Sequence, residues 1–435
     1  MLQVNSPPNR LGRVTLVELN EFNPEFLAQA AVKLGLSNID TVLKWSHTTT
    51  TTDDQVEHQG LDPWVQWVNV HSGKPSSDHK VKRLGDTRSQ AYPPFWTRLA
   101  ERGWTWGAWG VMNTPRVTTD RCEFFFPDPW SFEEQAYPAD LEQVLRLPRY
   151  VSKNYLDLDK KKAAVEALAM AGALARPNNW SASFDFSTRF ISESLRHRPN
   201  IHTLTSFVDY LGFCIFADRC KKQNPDFRVI FLNLIAHLQH QFWQGGDKIH
   251  PEMELGLRLA DKILGRLIDD ADPDDVIIVM NGMRQRNVAG EGFHVYRQNN
   301  PAKVLEWLGV MYASVEQCMT HDAHALFSSQ KDADEAARLL EACKLDDGTS
   351  AFFVEKIADD QVFYQIAFEH KVAEETNIIC GNRSTRLSDL VSLYAVRTGA
   401  HVTEGDIFSR NISLPASMHN HEVSSYIESY FEGKS

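Results

Sequence analysis

The sequence predicts an α/β protein with a doubly wound, mostly parallel sheet flanked by helices, a helical insertion and a small α+β part at the C-terminal end. Three near-continuous apolar runs lead to this prediction: RVTLVEL at 13–19, FRVIFLNLI at 227–235 and DVIIVM at 275–280. Such runs are typical of parallel strands that are buried on both faces. Helical patterns lie between them, and strands that alternate with helices usually form a parallel sheet.

The other elements follow from local signals along the chain. In order, we expect a helix at 25–36, an extended threonine run at 48–52, helices at 62–73 and 95–103, a strand at 104–112 and an aromatic loop at 124–130. The threonine run is predicted as an edge strand or a loop, because threonine favours extended backbone. The helix at 62–73 begins at Asp62-Pro63, a capping residue followed by proline, and ends at Ser72-Gly73.

These elements divide the chain into four parts. Residues 10–132 form the first part of the α/β core, 133–226 a helical insertion or cap, 227–330 the second part of the core, and 331–435 a C-terminal α+β part that completes it. In the last part, 351–354 and 363–368 are predicted strands, and 332–343 and 387–398 are predicted helices. The length of 435 residues agrees with one large α/β domain with insertions, or with two domains.

The composition excludes several classes of protein. A net charge of −12 argues against a general surface for nucleic acids or anionic membranes, so neither is expected as a partner. No apolar run is long enough to span a membrane. The six cysteines are scattered without a CxxC pair, which predicts reduced thiols and a cytoplasmic location. The sequence does not indicate an oligomeric state.

Candidate site residues follow the predicted strands, because ligands of doubly wound sheets collect at the carboxyl ends of the strands. These polar side chains are Glu18, Asn20, Glu21, Asn113, Asn233, His237, His240, Asn281, Gln285 and His401. His237 and His240 are three residues apart and can share one face of a helix. With His401 they could bind one divalent metal such as zinc. The simpler alternative is a pair of structural or solvent-facing histidines and no metal.

Five motifs follow one another along the chain. They are VTLVELNEFNPEFL with Asn20-Glu21, DPWVQWVNVHSG followed by KPSSDHKVKRLGD, Asn233-Leu-Ile-Ala-His237, Asn281-Gly282-Met283, and Gly399-Ala-His401. In order and spacing they resemble the motifs of the alkaline phosphatase superfamily, especially its type I phosphodiesterase/nucleotide pyrophosphatase branch. The resemblance covers residues 10–115, 225–295 and 397–415. It implies an alkaline phosphatase-like fold and a hydrolase of phosphodiesterase type.

The departures from these motifs affect the chemistry. Where the resemblance implies metal-binding aspartates, this chain has Asn20, Asn233 and Asn281, and Gly282 replaces the histidine that should follow. The place of the Thr or Ser nucleophile falls at Asp62-Pro63, so the hydroxyl is absent. Two adjacent metal ions need several anionic ligands. Because polar rather than aliphatic residues fill these positions, the departures predict a rebuilt site that does not hold two metals.

The leading hypothesis is a hydrolase or group-transfer enzyme that acts on a polar metabolite of phospho-, sulfo- or glycosyl type. Asp62 or Glu57 would act as base or nucleophile. His237 or His240 would act as acid, because histidine titrates near neutral pH. The substrate-binding residues would be Glu18, Asn20, Trp64, Gln66, Trp67, Asn113, Asn233, Asn281, Gln285 and His401. The expected partner is a small-molecule or glycan-type polar substrate.

Two alternatives remain open. The missing nucleophile and metal carboxylates favour a non-catalytic ligand-binding or scaffold protein on the same fold. The three histidines His237, His240 and His401 favour a hydrolase that depends on a single metal ion. No cofactor other than this one divalent metal is indicated.

Overall fold

The three apolar runs form the centre of an eight-stranded sheet. Strand β1 (Val14–Leu19) pairs in parallel with β5 (Phe227–Leu232) on one side and with β6 (Val276–Met280) on the other. Every residue of β1 and β6 is buried. The predicted α/β class with a mostly parallel sheet is therefore confirmed, and the apolar runs are explained by burial on both faces.

The computed structural model describes residues 11–54, 61–86, 92–116, 120–154, 158–196, 200–245, 248–318 and 322–433. The chain separates into two compact units, one formed by residues up to 286 together with those from 401 onward, the other by residues 287–400. The predicted boundaries at 227–330 and 331–435 do not coincide with this division. The larger unit resumes at 401 because a late strand enters the middle of its sheet.

The elements of the larger unit alternate as the sequence predicts. Its other strands are β2 (Ser46–Thr51), β3 (Trp106–Val111), β4 (Cys122–Pro127), β18 (Glu404–Arg410) and β19 (Ser417–His419). Its helices are α1 (Pro24–Leu34), α2 (Ser37–Val42), α3 (Pro63–Ser72), α4 (Ser76–His79), α5 (Trp96–Glu101), α6 (Glu142–Asn154), α7 (Lys160–Leu174), α8 (Trp180–Arg196), α9 (Ile201–Gln223), α10 (Leu234–Phe242), α11 (Pro251–Asp269) and α15 (Val423–Phe431). Short 3-10 helices lie at Pro177–Asn179 and Asn420–Glu422.

The sheet has the strand order β19-β2-β18-β6-β1-β5-β3-β4. Strand β18 is antiparallel to both of its neighbours, and the other pairs are parallel. The prediction of the threonine run as an edge strand or a loop is therefore wrong, because β2 is a strand whose outer side pairs with β19. The aromatic loop predicted at 124–130 is also wrong in its first half. Its consecutive phenylalanines favour a strand, and the first proline lies only at the last strand position, Pro127.

The smaller unit has an antiparallel sheet and a core of its own. Its strands are β8 (His294–Gln298), β9 (Ser314–Cys318), β10 (Asp322–Leu326), β11 (Lys344–Leu345), β12 (Phe352–Ala358), β13 (Gln361–Ile366), β14 (Asn377–Cys380), β15 (Arg383–Arg386) and β16 (Val391–Val396), and its helices are α12 (Pro301–Leu308), α13 (Gln330–Ala342) and α14 (Leu387–Leu390). Strands β12-β13-β10-β9 form the main sheet. Two further short strands are β7 (Arg284–Asn287) and β17 (Gly399–Val402).

The helix predicted at 387–398 is a single helical turn followed by strand β16. Strand β16 pairs with β8, and this long-range partner outweighs the local helical pattern. None of the helices within the described residues is both long enough and apolar enough to cross a membrane.

Candidate functional site

Glu21 follows β1 in an unusual backbone conformation. Its φ angle is 57°, in the left-handed region that residues other than glycine rarely adopt. Its N–H donates to the carbonyl of Asn281 at 2.9 Å, and its carbonyl accepts from Gln239 Nε2 at 3.0 Å and from the backbone N of Gln285 at 3.2 Å. These bonds hold a conformation that would otherwise be unfavourable. Such over-determined residues concentrate at functional sites.

The Glu21 carboxylate meets two imidazoles. Its Oε2 lies 3.0 Å from Nε2 of His240 and 3.0 Å from Nε2 of His401, and the two nitrogens are 3.3 Å apart. Glu21 is buried and both histidines are half-buried. Tetrahedral zinc with bonds of about 2.0–2.2 Å requires ligand atoms about 3.3–3.6 Å apart. The Glu21–His240–His401 triangle therefore has nearly the spacing of three ligands on one small cation.

Glu21 is an anion at neutral pH. Burial by itself disfavours its charged form, but the charges of His401 and His240 and their hydrogen bonds to the carboxylate outweigh that effect. They hold the Glu21 pKa well below its usual value. One anionic and two imidazole ligands make up the donor set that proteins often use for catalytic zinc.

Both oxygens of the Glu21 carboxylate are also held by amide groups. Oε1 accepts from Asn20 Nδ2 at 2.8 Å, and Oε2 accepts from Gln285 Nε2 at 2.5 Å. The same Gln285 nitrogen donates to the carbonyl of Ala236 at 3.1 Å. Groups that orient a metal ligand in this way commonly tune its affinity for the ion.

The side-chain amide of Asn20 is fully used. Its Oδ1 accepts from the Trp67 indole at 2.8 Å, and its Nδ2 donates to Glu21 Oε1 at 2.8 Å and to Asn233 Oδ1 at 2.9 Å. Because an indole N–H can only donate, it fixes which end of the amide faces Trp67. The amide nitrogen therefore lies between two oxygen atoms and donates to both.

Asn281 is also saturated by hydrogen bonds. Its Nδ2 donates to the carbonyl of Phe22 at 2.8 Å and to Asp406 Oδ2 at 3.1 Å, and its Oδ1 accepts from the backbone N of Asp406 at 2.7 Å. The buried Asp406 carboxylate also contacts Arg284 and His47, each at 2.9 Å. Asp406 was not predicted as a site residue, because β18, with the sequence EGDIFSR, contains other charged and polar residues that do not set it apart.

A second residue missed from the sequence is Asp209, in helix α9. Its carboxylate accepts from the backbone N of Asn233 at 2.7 Å, just before helix α10, which carries His240. Burial raises the Asp209 pKa to about 7, although hydrogen bonds from the backbone N–H groups of Asn233 and Leu234 oppose the shift. Asp209 is thus a positioning residue for α10. Nothing in its local sequence distinguishes it from other helical carboxylates.

His237 lies on α10 but outside the triangle. It is half-buried and three residues before His240. The third member of the triangle is Glu21, where the sequence had predicted His237.

Glu18 also lies away from the triangle, in the interior. Its Oε1 is 2.5 Å from Nε2 of the buried His71, whose Nδ1 is 2.8 Å from the Thr114 hydroxyl. That hydroxyl donates to a backbone carbonyl, so the histidine joins two buried groups in the core.

Asn113 and Trp64 hold a turn rather than facing the triangle. Asn113 accepts from the backbone N of Gly85 at 2.6 Å and donates to the carbonyls of Arg83 at 2.7 Å and Trp64 at 3.3 Å. The Trp64 indole donates to the carbonyl of Lys82 at 3.1 Å. These bonds tie the segment after α4 to α3.

Of the two residues proposed as base or nucleophile, only Asp62 can be placed. It occupies the N-terminal capping position of α3, but its side chain makes no capping hydrogen bond there. The predicted position of the helix start is therefore correct, but the predicted capping hydrogen bond of the Asp62 side chain is not formed. Glu57 lies outside the described residues.

Gln66 belongs to a separate buried network around Asp54. Gln66 Nε2 donates to Asp54 Oδ2 at 2.8 Å, and its Oε1 accepts from Asn420 Nδ2 at 2.6 Å. Asn69 joins this network and accepts from Nε2 of His79 at 2.7 Å. The hydrogen bonds of this network connect the loop after β2, helix α3 and the segment before α15.

His79 in this network predicts a pH dependence of stability. Its Nδ1 accepts from the backbone N of Val81 at 3.0 Å, so protonation would break that bond. Burial lowers the His79 pKa from 6.5 to about 4, against the opposing charges of Asp54 and Asp78. The unfolded chain therefore binds the proton first, and stability is lost as pH falls from 6.5 towards 4.

We expect this histidine to lower the free energy of unfolding by about 2 kcal/mol between pH 7.5 and pH 4.5. Urea unfolding of the wild type and of His79→Gln at both pH values measures the effect. The variant should show a smaller pH-dependent loss than the wild type. Equal losses in the two proteins would contradict the assignment.

Comparison with known proteins gives similarities to solved structures only. No protein-family model matches the chain, and no curated protein matches it. It is similar to phosphonoacetate hydrolase from Sinorhizobium meliloti 1021 in complex with phosphonoformate, with 13% identity, a TM-score of 0.47 and 98% of each chain covered. It is also similar to human ectonucleotide pyrophosphatase/phosphodiesterase 5, with 9% identity, a TM-score of 0.45, and 97% of this chain and 95% of that chain covered.

A third similar structure is murine ectonucleotide pyrophosphatase/phosphodiesterase 5, with 8% identity and a TM-score of 0.42. The alignment covers 97% of this chain and 95% of that chain.

Proposed function

We propose that this protein is a hydrolase or group-transfer enzyme that holds one divalent cation at Glu21, His240 and His401. The observation that carries the proposal is the spacing of the three donor atoms, 3.0, 3.0 and 3.3 Å. Two neutral imidazoles and a carboxylate suit zinc in particular. Three protein ligands would leave one coordination position for water or substrate, as in catalytic rather than structural zinc sites.

The residues around the triangle support one cation rather than two. The Asn20 amide nitrogen lies between Glu21 Oε1 and Asn233 Oδ1, and the Asn281 amide nitrogen lies against Asp406. Amide N–H groups stabilise oxygen atoms by hydrogen bonds and do not bind cations. The asparagines thus take over the role that a second cation would have in neutralising the site.

Each residue of the site has a distinct role in this proposal. A bound divalent cation would supply Lewis acidity and lower the pKa of a water molecule. Glu21 supplies the negative charge, and Asn20 and Gln285 hold its two oxygens in place. Asp209 fixes the start of the helix that presents His240. Asp62 or Glu57 as base or nucleophile stays a prediction.

The substrate class rests on the motif resemblance to the alkaline phosphatase superfamily. We take a polar metabolite with a phosphoester as the first candidate, followed by sulfate and glycosyl derivatives. A cytoplasmic location is part of the same proposal. The five cysteines within the described residues that are free thiols, Cys122, Cys214, Cys220, Cys343 and Cys380, favour a reducing compartment.

Turnover assays test the proposal directly. Purified protein is incubated with phosphodiester, phosphomonoester and sulfate ester substrates, before and after chelation and after zinc or manganese is added back. We expect turnover that is lost on chelation and in His240→Ala and retained in His237→Ala. His237→Ala is the matched control, because it removes an imidazole from the same helix but outside the triangle. Turnover unaffected by chelation or by His240→Ala would refute the proposal.

A non-catalytic binding protein is the second candidate. It is favoured by the absence of a nucleophilic hydroxyl at Asp62-Pro63 and by the asparagines locked in hydrogen bonds. It predicts that a cation binds at the triangle while no ester is turned over. Stabilisation of the fold by a bound ligand would then follow mass action.

A further inference from the structure

Helix α8 is apolar on two opposite faces. Phe186 and Phe190 on one face contact the ring of Phe207 in α9. On the other face, large apolar side chains are exposed to 60–84% of their full area: Trp180, Phe184, Ile191 and Leu195. Their spacing of four, seven and four residues places them along one stripe. The stripe of Trp180, Phe184, Ile191 and Leu195 is therefore a second apolar face of α8, and it faces solvent.

The neighbouring helices also expose apolar side chains. Helix α7 exposes Val165 to 58% and Leu168 to 73%, and α9 exposes Leu204 to 41% and Val208 to 54%. Helix α8 packs against both α7 and α9. We call these eight side chains of α7, α8 and α9 the apolar face. Exposed apolar side chains that concentrate on neighbouring helices mark candidate interaction sites in soluble proteins.

The apolar face belongs to a basic part of the chain. Residues 142–223 contain 13 lysines and arginines against 8 aspartates and glutamates, a net charge of +5, whereas the whole chain has −12. Lys161 lies four residues before Val165 and seven before Leu168, so the three share a stripe of α7. Arg196 ends α8 next to Leu195 and is largely exposed.

We infer that the apolar face docks on an anionic lipid surface. Exposed aromatic and aliphatic side chains flanked by cations are the combination that binds the interface of such membranes. A second copy of this chain fits less well, because two segments of charge +5 would repel each other. The overall charge of −12 predicts no membrane partner, but the local charge has the opposite sign.

Helix α9 carries both part of the apolar face and Asp209. Val208 precedes Asp209, whose carboxylate accepts from the backbone N of Asn233. The inference does not depend on the proposed cation or on turnover.

Vesicle sedimentation tests the inference with full-length protein. Vesicles of phosphatidylcholine alone are compared with vesicles containing about one third phosphatidylserine, in low salt and in 0.5 M salt. We expect binding to the anionic vesicles only, weakened by salt. The triple variant Phe184→Ser/Ile191→Ser/Leu195→Ser should bind at least about 10-fold less. The double variant Lys160→Glu/Lys161→Glu should also lose affinity, and it leaves the apolar side chains intact.

Val32→Ser/Met311→Ser is the matched control. These two side chains are 85% and 82% exposed and lie outside the apolar face, so their removal should leave binding unchanged. Failure of the wild type to bind anionic vesicles would overturn the inference. So would a dimer in sedimentation velocity that the triple variant converts to monomer, because a second copy would then cover this face.

Discussion

Replacing His240 by alanine is expected to lower the affinity for zinc by more than about 100-fold. Removing a group that merely supports a metal ligand commonly costs about 10–100-fold, and here a ligand itself is lost. Glu21→Gln should have a similar effect, because the buried anion that neutralises the cation becomes an amide. Competition titration against a chelator of known affinity measures the change.

His237→Ala is the matched control for His240→Ala. Both substitutions remove an imidazole from α10, but His237 lies outside the triangle. We expect the control to bind zinc with the affinity of the wild type. If the two variants bind zinc equally, the triangle is not the binding site.

Replacing Asn20 by aspartate is expected to destabilise the protein in the absence of divalent cations by about 2–4 kcal/mol. The new carboxylate oxygen would lie where Nδ2 now donates, 2.8 Å from Glu21 Oε1 and 2.9 Å from Asn233 Oδ1. Three acceptors would then meet in a buried space without a donor. Urea unfolding in the presence of chelator measures the loss.

Divalent cations should restore the stability of Asn20→Asp. The added charge recreates an anionic pair that a second cation can bridge, so zinc or manganese should raise its unfolding free energy more than that of the wild type. Asn113→Asp is the control, because that amide is equally buried but donates to backbone carbonyls. It should be destabilised without a specific cation effect. An Asn20→Asp variant as stable as the wild type in chelator would contradict this account.

The fold could be predicted where the chain carries its own signal. The runs that became β1, β5 and β6 are apolar because both faces of these strands are buried. The pairing of strand β16 and the position of β2 inside the sheet rather than at its edge depend on partners far away in the chain, and local patterns do not contain that information. The return of the chain to the sheet at β18 also depends on distant partners and could not be predicted from local patterns.

The site could be predicted only in part for the same reason. His240, His401 and Asn20 were found because they follow strand ends or match motifs. Glu21 was assigned no role, since its position depends on a left-handed backbone that glycine would be expected to occupy. Asp209 reaches the site from a distant helix, and only tertiary packing brings it there.

The metal content of protein purified without chelators tests the central claim most directly. Elemental mass spectrometry would measure it for the wild type and for His240→Ala. We predict about one equivalent of zinc or another divalent transition metal in the wild type, and a large loss in the variant. Two equivalents, no metal after zinc is supplied, or a full equivalent in His240→Ala would contradict a single cation at Glu21, His240 and His401.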